Sequence, residues 1–284
     1  MSSDEHVMET TGKARVVIRD GKVAEVGKPV ISRCPLAKKF SSPVIFMNEE
    51  EIRACIEDRI RAYGMFTKDR DVLSDDDFVL FGASEVLSNA LKAGLIDCAV
   101  IACDGAGTVI AENPLLVQGI GGRMSGLVST SPFPEVIERI EANGGHVTFP
   151  ADASLNQYGG VKAAYERGFK KVAVTIADPA DSASIRADFP DTIIIAVHTT
   201  GLSGADARVL SDNCDIVYRC ASAAVTGIAG EKALAQFGKS VPVYAFTKKG
   251  KELVFRKLIE TQKQIFVTGS PLPVEGDDGP FPLI

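Results

Sequence analysis

Three cysteines stand where an apolar run gives way to a loop. Cys34 precedes Pro35 in an irregular stretch, Cys103 closes the run 96–103, and Cys220 follows the run 215–218. Thiolates gathered at one edge can hold an iron–sulfur cluster or a soft metal, and a single thiol can act as a nucleophile. Cys34, Cys103 and Cys220 are therefore the candidate metal ligands, and an iron–sulfur cluster is the candidate cofactor. The bland alternative is three unrelated buried thiols. Cys55 lies on a helical apolar stripe and Cys98 inside a strand-like run, so both read as core. There is no CxxC pair, which removes the common zinc and ferredoxin spacings.

His198 follows the run 193–197 and could serve as a general base or as a partner to a thiol. Asp104 could orient a substrate, or it could simply make the Asp104-Gly105 turn. Cys103, His198 and Asp104 are thus the catalytic candidates.

A second chemistry is anion binding. Gly105, Gly107 and Thr108 form one small-residue turn. Gly119, Gly121, Gly122, Arg123 and Ser125 lie in a second, with four glycines over residues 119–126. Such loops can aim several N–H groups at an anion, and an arginine can clamp it. The spacing is neither a Walker loop nor a dinucleotide fingerprint. Thr199, Thr200 and Ser222 add hydroxyls suited to a small anionic ligand. The competing readings are tight packing, or docking on another protein.

The elements that must position these groups follow from periodicity. Apolar runs at 96–103, 146–149, 171–176, 192–197, 215–218 and 241–246 alternate with helical segments at 156–168, 179–188, 203–212, 221–237 and 249–262. That alternation predicts an α/β fold with a mostly parallel sheet flanked by helices, Rossmann-like in its second half. Ligands then bind beyond the carboxyl ends of strands, which selects residues 103–105, 177–178, 198–201, 219–222 and 247–248. Residues 14–27 predict an N-terminal β-hairpin turning at Asp20-Gly21. Further helices are expected at 49–63, 78–93 and 134–142. The chain divides into 1–145, carrying hairpin and glycine-rich loop, 146–268, carrying the βαβ repeat, and an extended proline-rich tail, 269–284. That tail is expected to be mobile or to lie on a neighbouring subunit.

Composition narrows the class. Hydrophobic residues make up 45% of 284, enough for a large core, and the net charge is −6. Mixed charges without a basic stripe argue against nucleic-acid binding. No apolar run reaches the roughly 18 residues of a membrane span, and the acidic start MSSDEHVMETTGK does not look like a signal peptide. The expectation is a cytoplasmic protein with no nucleic-acid or membrane partner.

The stretches GKARVVIRDGKVAEVG with the following CPL, then CDGAGTVI, VQGIGGRMSGLVSTSP and AVHTTG, resemble the methanogenesis marker protein 8 family. The resemblance runs from about residue 10 to residue 260. It implies an archaeal protein whose occurrence tracks methane production, and it carries over no catalytic residues. The expected function is accessory to methanogenesis, in maturation or repair of an anaerobic enzyme or its cofactor. The expected partner is an enzyme of methane metabolism or its assembly factors. The alternatives are an enzyme for a small anionic or phosphorylated substrate held by the glycine-rich loop, and a non-catalytic protein-binding module.

Overall fold

The computed structural model describes residues 4–10, 12–40, 43–124 and 126–284. Ser125, one of the anion-binding candidates, lies outside them. The strands are β1 (Glu5–Glu9), β2 (Arg15–Arg19), β3 (Lys22–Val26), β4 (Cys98–Cys103), β5 (Gly107–Ala111), β6 (Leu127–Ser129), β7 (Gly145–Val147), β8 (Val172–Ile176), β9 (Ile193–Ala196), β10 (Ile216–Tyr218), β11 (Ala235–Phe237) and β12 (Val243–Ala245). The helices are α1 (Glu49–Tyr63), α2 (Ala83–Lys92), α3 (Pro114–Gly121), α4 (Pro134–Glu141), α5 (Gln157–Glu166), α6 (Pro179–Asp188), α7 (Gly204–Asn213), α8 (Ala223–Lys232) and α9 (Lys248–Glu260).

The predicted α/β class holds. An eight-stranded sheet runs in the order β11-β12-β10-β9-β8-β4-β5-β7. Its centre, β10, β9, β8 and β4, is parallel throughout, whereas β5 and β12 run antiparallel to their neighbours. Alternate residues of each central strand enter opposite cores. Ile101, Ala173, Ile195 and Ile216 join α2, α3, α4 and α9 on one face. Val100, Val174, Ile194 and Val217 join α5, α6, α7 and α8 on the other. Strands covered on both faces must be continuously apolar, as these are.

A second sheet, β3-β2-β1-β6, packs with α1 into a third core that includes Cys34 and Ala221. The predicted hairpin is its outer half. Asp20 and Gly21 have φ of 49° and 67°, both left-handed, as the tight two-residue turn demands. Helix α1 spans its predicted residues. Asn48 accepts from the Glu51 amide at its start, and Gly64 ends it at φ 61°.

Two expectations change. The helix foreseen over 221–237 stops at Lys232, and Ala235–Phe237 pairs with β12 as a hairpin. Because β12 is antiparallel to β10, Thr247 and Lys248 sit at the opposite edge of the sheet from the other candidates. There Thr247 donates to Asp215 at 2.5 Å. The tail, 269–284, forms no helix or regular strand and runs largely exposed along its own chain. Backbone bonds join Phe281 to Ser32 and Arg33, and Ile284 to Ala221 and Ala223.

Candidate functional site

The carboxyl edge of the parallel strands carries Cys103 at the end of β4, His198–Gly201 after β9 and Arg219–Ser222 after β10. Strand order separates these. From β4 to β10 there are three steps of about 4.8 Å, so Cys103 is displaced roughly 14 Å along the edge from the strand that leads to Cys220. Among the described residues no three His, Cys, Asp or Glu side chains group as a metal ion requires. The expected trio of Cys34, Cys103 and Cys220 is therefore corrected to a pair, Cys34 and Cys220, with Cys103 apart. A cluster held by three or four thiolates does not fit these residues.

The surroundings of Cys103 are those of a packed core. The residue is fully buried, its thiol donates to the Asp104 carbonyl at 3.3 Å, and burial pushes its pKa far up. Asp104 is fully buried and paired to Arg70, whose Nε lies 2.9 Å from Oδ1, while Oδ2 accepts from the Phe66 amide at 2.6 Å. Arg70 also donates to the carbonyls of Asp71 and Gly119. Both acceptor atoms of Asp104 are thus engaged in fixing residues 64–72 and α3 against β4. Gly105 donates its amide to Thr130 Oγ1 at 2.8 Å and packs on Phe133. At Gly107, φ is 72° and an added Cβ would lie 2.2 Å from the Ala153 carbonyl oxygen. Thr108 is buried, bonded to Ser154, Asn156 and Gln157.

His6 shares this cluster. It is fully buried, its Nδ1 lies 2.6 Å from Thr130 Oγ1, and its ring stands between Phe66 and Phe133. Burial lowers its pKa below 6.5 against the weaker pull of Asp4, Asp104 and Glu5. A depressed folded pKa means stability that is present above 6.5 and lost as the pH falls through the folded value. We expect the denaturant midpoint to drop as the pH falls below 6.5, and to drop less in His6→Gln. Superimposable pH profiles for the two proteins would exclude His6 as the cause.

The glycine-rich candidates are placed differently from the expected loop. Gly119 and Gly121 lie within α3, which Asn113 caps and Pro114 begins, and Gly122 ends it. Their amides are consequently spent on helical bonds. Gly119 is a close approach, since an added Cβ would fall 2.2 Å from the Val72 carbonyl oxygen. Arg123 Nη1 pairs with Asp71 Oδ2 at 3.0 Å and its guanidinium lies 4.1 Å over the Tyr63 ring. This arginine clamps the segment after α1, an internal carboxylate taking the place foreseen for a ligand.

The ends of β9 and β10 are where candidates converge. Thr199 Oγ1 lies 2.6 Å from the Tyr218 carbonyl and 2.8 Å from that of Arg219, tying the two loops together. Thr200 Oγ1 accepts from the Ala221 amide, and Ser222 caps α8. His198 and Cys220 both adopt positive φ, 60° and 48°. Such backbone is costly for residues with a side chain, and it concentrates at functional sites. Cys220 is only partly covered as a residue, yet its thiol faces inward toward the Thr199 hydroxyl and the amides of His198 and Thr199. The Cys34 thiol faces the Leu36 and Ala37 amides. Burial raises both thiol pKa values, and Arg219 is close enough to both to favour their thiolates. Arg219 donates through Nη2 to the Ser240 carbonyl at 2.8 Å, while its Nε is buried with no partner among the described residues. His198 Nε2 lies 2.8 Å from Glu9 Oε2, so β1 of the small sheet reaches the edge of the large one.

Three contributors were not singled out from the sequence. Arg219 follows a strand-like run in the sequence, and nothing in its spacing gives it a role. Glu9 sits in an acidic stretch that reads as solvated, and Arg70 in one that reads as a polar loop. β1 shows no alternation in its sequence, because three consecutive residues, His6, Val7 and Met8, are buried between Glu5 and Glu9.

Fold and site together define an α/β protein in which two buried thiols, Cys34 and Cys220, lie near Arg219 at the carboxyl edge of a parallel sheet. Residues 6–259 match the family described as "Uncharacterized protein conserved in archaea" (DUF2099), and the chain belongs to that family. It is 42% identical over 284 residues to "Uncharacterized protein MJ0054" of Methanocaldococcus jannaschii, covering 99% of this chain and all of that one. No solved structure matches it. No described helix is long and apolar enough to cross a membrane.

Proposed function

We propose that the protein is an accessory factor of methanogenesis, of the methanogenesis marker protein 8 type. Its partner is an enzyme of methane metabolism or an assembly factor of one. Its work is done by Cys34 and Cys220, which hold a soft metal ion in transit during maturation or repair of that enzyme or its cofactor. The observation that supports this is the meeting of two thiols from distant segments beside Arg219, each sulfur faced by backbone N–H groups. Burial raises both thiol pKa values, and these donors with Arg219 offset part of that rise toward thiolate, the form that binds soft metals. His198 and Glu9 brace the β9 end of the same edge.

The anionic-substrate reading loses its expected clamp, because Arg123 is already paired with Asp71. The test is metal and sulfide analysis, with a visible spectrum, on protein purified without oxygen. About one bound metal equivalent is expected, lost in Cys34→Ser and in Cys220→Ser and kept in Cys103→Ser. Absence of metal, or retention of metal in both the Cys34 and the Cys220 variants, would overturn the reading.

A further inference from the structure

We infer that residues 279–284 form a strap over the segments that carry Cys34 and Cys220, and that it must lift for the thiols to be reached. The inference rests on the assignment of these two thiols as the working site. Within six residues the strap touches Arg219 and the neighbours of both thiols. Phe281 exchanges backbone bonds with Arg33, which precedes Cys34: its amide donates to the Arg33 carbonyl at 3.0 Å, and its carbonyl accepts from the Ser32 and Arg33 amides at 2.7 and 3.2 Å. The Ile284 amide donates to the Ala221 carbonyl at 2.9 Å, and the Ala223 amide donates to the Ile284 carbonyl at 3.0 Å, bracketing the residues that follow Cys220. Gly279 lies against Arg219, where an added Cβ would be 3.5 Å from Nη2.

What holds the strap is unlike what holds the fold. Phe281 is 61% exposed and Ile284 38% exposed, resting on Gly201, so the buried Pro280 is the main apolar anchor of the strap. The connection behind it, residues 275–278, is acidic and carries one exposed ion pair, Lys38 to Asp278 at 3.7 Å. The firm attachment comes earlier, where the Val274 amide donates to Gln236 Oε1 at 2.8 Å and the Val274 carbonyl accepts from its Nε2. A segment fixed at Val274 and held beyond it by an isolated bridge at Phe281, the Ile284 backbone bonds, one exposed ion pair and a single buried proline belongs to the part of a fold that opens without global unfolding. Opening would release both thiol-bearing loops together, because the latch residues alternate between them.

The test reads access to the thiols and needs no metal, so its failure is separable from failure of the proposed function. Labelling of each cysteine by N-ethylmaleimide at fixed pH is followed by peptide mass spectrometry. The proteins are the full chain, Phe281→Pro and Ile284→Pro, which each remove a latch amide donor, and a chain ended after Asp278. Cys98 and Cys214, both essentially without exposure, report that the core stays folded. The expected result is labelling of Cys34 and Cys220 about tenfold faster in the variants, with Cys98 and Cys214 still protected. Hydrogen exchange at Ser32, Arg33 and Ala223 should accelerate in parallel. Equal labelling, within about twofold, of the shortened chain and the full chain would overturn the strap. If the shortened chain exposes Cys98, the two proline variants decide by the same criterion.

Discussion

Replacing Asp104 with alanine is expected to lower the unfolding free energy by about 3–5 kcal/mol, because it leaves the Arg70 guanidinium charged and unpaired in the core. Both side chains are without solvent exposure, and Arg70 Nε is 2.9 Å from Oδ1. The same substitution also strips the Phe66 amide of its acceptor, at 2.6 Å. Phe66 itself holds a φ of 59°, a backbone that this bond helps to fix. Asp104→Asn keeps an acceptor for that amide and should cost less than alanine. Arg70→Met combined with Asp104→Ala should recover much of the loss, since an apolar replacement of both partners leaves no buried charge. Urea unfolding measures all three. A loss below about 1 kcal/mol for Asp104→Ala would mean that the pair is not buried as described. The same geometry is why Asp104, which follows Cys103 at a strand end, reads as structural: neither carboxylate oxygen is left to meet a substrate.

How far the sequence discloses this molecule depends on whether a feature is local. The hairpin at Asp20-Gly21, the cap at Asn48 and the βαβ alternation from β8 to α7 are all written in neighbouring residues, and all form. Strand direction is not local. The run at 243–245 is as apolar as its neighbours, yet β12 is antiparallel, because only the short connection 238–242 separates it from β11. That places Thr247 on the wrong edge for chemistry. Sheet order is not local either, and it sets β8 and β9 between β4 and β10, which keeps Cys103 away from the strand that leads to Cys220. The glycines at 119 and 121 illustrate the opposite failure. Glycine density suggests a loop, but Asn113 and Pro114 start a helix there, and Gly119 is small because the Val72 backbone crosses it. β1 was obscured by its own composition: Glu5 and Glu9 flank a buried core of three residues.

Gly126 joins the two levels, and Gly126→Ala is expected to cost about 3–4 kcal/mol, at the upper end for a single substitution. Its φ is 63°, the left-handed region that an alanine occupies at a cost of about 1–2 kcal/mol. Space adds the rest. A Cβ would lie 2.1 Å from the Glu9 carbonyl oxygen and 2.7 Å from His198 Cε1. The Glu9 amide donates to the Gly126 carbonyl at 2.6 Å, so the β1 end cannot move away without breaking that bond. The side chain would therefore push His198 from Glu9 and disturb the 2.8 Å contact between the small sheet and the β9 end. Gly94 separates the two contributions. It has φ 67° with nothing within 4 Å of an added Cβ, so Gly94→Ala should show the backbone cost alone, about 1 kcal/mol. Urea midpoints of both variants give the difference, and the His198 ring signals in proton NMR report the local shift. Equal losses for the two alanines, with unmoved His198 signals, would show that Gly126 is required only for its backbone angle and not for the fit between the sheets.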